Sequence, residues 1–144
     1  MTNTRQAPDH HDADLVLKLY ELRREPVMRA SRNAMMQFMP KAYEDMLAVT
    51  QPTNENNAAF RQVSSYFEMA YGFARHGIVP ADFLAESNAE GLILFAKVSP
   101  FLERFRKEYS PTAFQNAEWL VANSGVAKQR FELFKTRFTK PPAR

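Results

Sequence analysis

Between residue 55 and Arg75 the chain repeats apolar side chains at intervals of three and four. Phe60, Val63, Phe67, Tyr71 and Ala74 fall on one side of a helix, and Tyr66, Met69 and Phe73 occupy its other sides. A helix that is apolar nearly all round must be covered nearly all round. It therefore lies at the centre of a fold or beneath another chain. Everything else in the sequence has to supply that cover.

The flanking segments carry the same helical period. A first helix is expected from Asp9 or Asp12 to about Arg24, with Leu15, Leu19 and Leu22 as its stripe, widened by Val16 and Tyr20. Pro26 opens a second over 26–39, which carries Met28, Met35, Phe38 and Met39. Pro40 opens a short third through Val49, and "TQPTNENN" links it to the central helix, with Thr53 or Asn54 as cap. His76-Gly77-Ile78 reads as a stop in which Gly77 is left-handed and Ile78 packs back on the last turn. A short helix over 80–86 follows. Ser87 and Glu90 then have capping-box spacing for a helix reaching Tyr109, with a kink or break at Ser99 before Pro100. Ser110-Pro111 starts another helix carrying Phe114, and Ser124-Gly125 separates it from a final segment, 126–138.

Strand signals are nearly absent: no period-two run is bounded by Asn-Gly or Asp-Gly turns. The expected fold is all-α, an irregular helical bundle of five to seven helices with no sheet. The 144 residues form a single helical domain, with an N-terminal tail over 1–8 and a C-terminal tail over 139–144. A chain of this length buries roughly two thirds of its unfolded surface, enough to fold without staples.

The absence of Cys excludes disulfides, thiolate metal sites and cysteine nucleophiles. The opening "MTNTRQAPDHHDAD" has no apolar centre, and the longest dense run, Leu92 to Val98, contains Lys97 and is too short for a bilayer. A cytoplasmic protein without a membrane span is expected. Net charge is +3 overall, but residues 101–144 alone carry nine basic and four acidic groups. Lys128, Arg130, Lys135 and Arg137 interleave there with Phe131, Phe134 and Phe138, a spacing that sets the rings on one helix side. These four cations are candidate contacts for nucleic-acid phosphates. Burying each Phe contributes about 2–3 kcal/mol, far more than a screened surface cation, so the ring face is expected to dock on the bundle.

No pattern names a reaction. His10 and His11, followed by Asp12 and Asp14, could hold a transition metal, but adjacent histidines on a helix diverge and His76 is distant. No metal and no cofactor are expected. The chain has no nucleophile elbow and no glycine-rich phosphate loop. The basic residues Arg23, Arg24, Arg29 and Arg32 are interspersed with Glu21 and Glu25, which can pair with them at helical spacing. Met28, Met35, Met36, Met39 and Met46 form a Met-rich region, a composition suited to core packing or to an adaptable binding surface.

Glu68 lies midway along the most apolar helix, seven residues from Arg61 and from Arg75, while Arg104 sits among Phe101, Leu102 and Phe105. A carboxylate held by one of these arginines would pair two helices or line a pocket for a small anion. The stretch "AFRQVSSYFEMAYGFARHGIV" through "FLERFRKEY" resembles small all-helical bacterial proteins belonging to a domain of unknown function, members of which often carry an N-terminal membrane segment. The resemblance implies a helical fold with Arg61, Glu68 and Arg104 at its matching positions, and no reaction.

The expected function is a non-enzymatic interaction or scaffold module that associates with itself or with a protein partner. The alternatives are an electrostatic nucleic-acid binder using the basic C-terminal third, and a small anionic-ligand protein or enzyme with a pocket near Glu68.

Overall fold

The computed structural model describes residues 7–139. Within them the chain is all-α and contains no strand. The helices are α1 (His10–Arg23), α2 (Pro26–Gln37), α3 (Tyr43–Val49), α4 (Asn57–Arg75), α5 (Ala81–Ser87), α6 (Gly91–Glu108), α7 (Gln115–Asn123) and α8 (Gly125–Thr139). The described residues thus hold eight helices, not five to seven. The short α3 and α5 close off as separate elements, and Ser124 holds α7 and α8 apart. The expected tails, 1–8 and 139–144, lie almost entirely outside the described residues.

The central segment behaves as its pattern requires. α4 packs against α2, α5, α6 and α7, while α6 also carries α3 and α8. Phe60, Val63, Tyr66, Phe67, Tyr71 and Ala74 are buried in one core that extends from Leu19 to Phe134, and only Met69 of the large apolar side chains on α4 is exposed. Both buried tyrosines hand their hydroxyls to main-chain acceptors, Tyr66 to the Leu19 carbonyl at 2.5 Å and Tyr71 to the Asn88 carbonyl at 2.7 Å. Burial pushes the Tyr66 phenol up to about 12, so it remains a donor.

Several local expectations are corrected by competing contacts. α3 begins three residues after Pro40, because the Asp45 carboxylate accepts from the amides of Lys41 (2.8 Å) and Ala42 (3.1 Å) and sets the start there. α4 starts at Asn57 with Asn56 at its cap, not at Thr53 or Asn54. Ser87 ends α5 instead of capping α6, and Glu90 is drawn away by a bidentate pair with Arg32, at 2.6 and 2.7 Å. That pair also takes Arg32 from the Glu21 and Glu25 expected as its partners. α6 runs unbroken through Pro100: the Ala96 carbonyl that loses its usual donor accepts the Ser99 hydroxyl at 3.0 Å. Gly77 is left-handed as expected, with φ of 76°, but Ile78 is exposed and Val79 fills the core. Leu22 and Tyr20 on α1 are exposed, and the methionines divide, Met28, Met35 and Met46 inside and Met36 and Met39 outside. Phe114 is not helical. It caps α7 in the left-handed region, with φ of 58°.

The final helix docks on the chain's own bundle. Ala127, Phe131 and Phe134 are buried against α5, α6 and α7, and the Phe131 ring stacks on Phe95 with centroids 4.9 Å apart. Among the described residues no helix is long and apolar enough to cross a membrane.

Three substitutions probe this packing. A Cβ on Gly91 would lie 2.4 Å from Phe67 Cγ and 2.6 Å from the Tyr71 hydroxyl, so the start of α6 crosses α4 only without a side chain. Gly91→Ala is expected to lower stability by about 2–4 kcal/mol in urea unfolding. Phe134→Ala is expected to remove about 3–5 kcal/mol and Lys128→Ala less than about 0.5 kcal/mol. Equal losses for the last two would mean that α8 is not held by its rings.

Candidate functional site

Glu68 is half-buried on the side of α4 that meets α7. A helix start leaves its first amides without partners, and the residue before it ordinarily supplies the acceptor. Phe114 has no such group. Glu68 supplies it from across the interface: its carboxylate accepts from the amides of Asn116 at 2.9 Å and Ala117 at 2.8 Å. Asn116 completes the link, donating from Nδ2 to the Glu68 carbonyl at 2.9 Å and accepting from Arg75 at 2.9 Å. The approach is tight at Gly72, where an added Cβ would stand 3.0 Å from Asn116 Nδ2 and the amide would have to give by a few tenths of an ångström.

Burial is the dominant influence on the Glu68 carboxyl and raises it above its ordinary 4.5. The two amides, then the charges of Arg106 and Arg75, pull it back down. The void beside it has a volume of about 10 Å³, no more than one water fills. An anion there would also face a carboxylate. The small-anion reading finds no room at this position.

The structure does not bring Arg61, Glu68 and Arg104 together. Arg61 is exposed on α4. Arg104 is also exposed, bonded to Glu108 at 2.8 Å, with its guanidinium 4.0 Å above the Tyr43 ring. The arginines near Glu68 are instead Arg75 and Arg106. The expected helix–helix ion pair is replaced by a carboxylate on a helix terminus.

Lys97 is the residue that sequence reasoning passed over. It is buried on α6 and donates to the carbonyls of Met35 (2.8 Å) and Met36 (3.1 Å) in the last turn of α2, with the Phe138 ring 5.4 Å away. Burial lowers its pKa from the usual 10.5. One charge inside the densest apolar run of the chain was the available signal. No comparable signal marks Asn116, whose role depends on the turn at Phe114.

A groove of about 660 Å³ lies between α6, α7 and α8. Phe95, Leu102, Val121 and Phe131 line it, with Arg106 and Lys128 at its edges. Arg106 is largely committed, to the Ala113 carbonyl at 2.9 Å and to Glu118 at 3.1 and 3.2 Å. On the outer face of α8, Lys128, Arg130 and Arg137 are exposed and Lys135 is half-buried with its ammonium 5.3 Å from the Phe131 ring. His10 and His11 are exposed, and the Asp12 carboxylate accepts from the Asp9 amide at 2.9 Å as half of the α1 cap. Among the described residues no three His, Asp or Glu side chains are gathered to hold a metal ion.

The Glu68 contact yields a pH prediction. The folded chain holds this proton more tightly than the unfolded chain, so protonation favours the fold. The associated stability is present below about pH 4.5 and declines as pH rises through the raised folded value. Glu68→Gln is expected to flatten that part of the stability–pH curve. Glu68→Ala is expected to cost about 1–3 kcal/mol at neutral pH, and Glu68→Gln less, since one amide oxygen still accepts. Unfolding midpoints of the three proteins between pH 4 and pH 8 check both statements.

No curated protein and no solved structure matches the chain. A family model does match, over residues 8–124, from before α1 to the residue between α7 and α8. The chain therefore belongs to the family described as domain of unknown function DUF4760.

Proposed function

We propose that this protein is a non-enzymatic interaction module that associates with itself. The observation that carries the reading is the placement of surplus apolar surface. Among the described residues ten large apolar side chains are exposed, and six of them lie between Leu17 and Met39. Leu17 is 60% and Val27 62% exposed, and Leu17 and Tyr20 share one side of α1. Such groups favour a partner that removes them from water, at roughly 25 cal/mol for each Å² covered. The charged side chains that could have suggested chemistry, Glu68 and Lys97, are engaged with helix ends. Light scattering after size exclusion, at tens of micromolar, is expected to give about twice the chain mass of 16.6 kDa. A monomer at that concentration would remove the self-association.

A second reading draws on a different observation. Lys128, Arg130 and Arg137 face solvent on α8 because its rings take the inward side. In this reading they contact nucleic-acid phosphates. Binding to labelled single-stranded and duplex oligomers should weaken steeply between 50 and 200 mM salt, about as expected for a few phosphate contacts. Affinity that ignores salt, or no affinity at low salt, rules this reading out.

A further inference from the structure

We propose that α8 is an exchangeable arm, and that the seat between α5, α6 and α7 can receive α8 from a second copy of this chain. The proposal rests on the self-association reading and gives it a mechanism. Four observations carry it.

First, a single residue separates α7 from α8. Ser124 is extended, with φ of −131° and ψ of 119°, and its amide donates to the Leu120 carbonyl at 2.9 Å. Turning that one residue to helical dihedrals joins α7 and α8 into one helix from Gln115 to Thr139 and carries the arm away from its own bundle. A linker this short favours exchange between copies, because an opened arm is rigidly aimed outward.

Second, α8 grips by one face. Ala127, Phe131, Phe134 and Phe138 lie at helical spacing, the pattern by which a separate amphipathic helix enters a groove. A second copy supplies identical side chains, so the contacts are the same in either arrangement and only the hinge changes.

Third, a groove runs along the root of the arm. The groove of about 660 Å³ opens where α7 and α8 diverge over α6. Fourth, the family match ends at residue 124, so the seat belongs to the family domain and the arm follows it.

The closed form is held at the hinge by Ser124. Its hydroxyl oxygen accepts from the Ala127 amide at 3.1 Å and donates to Asp82 at 2.5 Å. Gly125 adds to this, since glycine disfavours a continuous helix and a Cβ there would touch nothing in the closed form.

The test uses the full chain. Because it has no cysteine, Glu86→Cys on α5 and Gln129→Cys on α8, both exposed positions, accept two spin labels cleanly. Doubly labelled chains are mixed with a tenfold excess of unlabelled chain, and the distance within one labelled chain is read by dipolar spectroscopy. Closed chains give one short distance, since α5 and α8 are in contact. Exchanged dimers give a long one. Ser124→Ala removes the cap and Gly125→Ala removes the glycine, and each change enters twice in a two-fold dimer. The double variant is therefore expected to lower the dimer dissociation constant at least tenfold and to populate the long distance. Gly125→Ala alone, which introduces no clash, should shift it in the same direction. Dimers that keep only the short distance overturn the exchange and leave surface self-association standing. Variants that stay monomeric overturn the exchange as well. A monomeric native chain whose variants dimerise with the long distance supports the arm and removes self-association of the native form.

Discussion

Two backbone amides at the start of α7 point at a carboxylate on a different helix, and the C-terminal half is assembled around that contact. The amides of Asn116 and Ala117 can reach Glu68 only because Phe114 turns the chain with φ of 58°. A side chain other than glycine pays about 1–2 kcal/mol for that backbone. Burying the ring beside Phe60 and Phe95, with centroids 6.2 and 6.1 Å away, contributes about 2–3 kcal/mol and outweighs it. With α7 placed by Glu68, Ser124 folds the chain back and α8 lands on α5 and α6.

Lys97 is the counterpart of Glu68 in sign and in place. A negative charge from α4 meets the amino end of α7, and a positive charge from α6 meets the carboxyl end of α2. Each agrees with the helix dipole it faces, a favourable term of about 0.3–1 kcal/mol and more where water is excluded. Neither meets an opposite charge as its main partner. Desolvation therefore dominates both, raising the carboxyl of Glu68 and lowering the ammonium of Lys97. Shifts of this kind often mark chemistry. Here each group is already engaged with main-chain atoms that a substrate would have to displace.

The helical period was legible because it depends on burial alone. The core side of α4, the docking of Phe131 and Phe134, the left-handed Gly77 and the separation at Ser124 follow from residue type and spacing. Contacts between distant residues decided the rest. Glu90 was a plausible capping residue until Arg32, 58 positions away, claimed it. Arg104 looked like a partner for Glu68, but it lies beside Glu108 one turn along its own helix and over Tyr43 of α3. Pro100 looked like a break, and a neighbouring serine satisfies the carbonyl it orphans. Of the candidate site, Glu68 was recognisable as an odd charge on an apolar helix. Its partners were not, because main-chain amides carry no sequence signature.

The basic character of the C-terminal third resolves in the same terms. Arg104 and Arg106 are neutralised locally by Glu108 and Glu118, so on the described residues the unbalanced charge of that third falls largely on the outer face of α8. The inner face of the same helix is settled by burial of its rings, which outweighs any one screened charge several-fold. The two faces are thus independent. The inner face determines where α8 docks, whichever copy supplies it, and the outer face determines what a docked α8 presents to solvent. Phe131, Phe134 and Phe138 belong to the architecture, while Lys128, Arg130 and Arg137 can change without disturbing it.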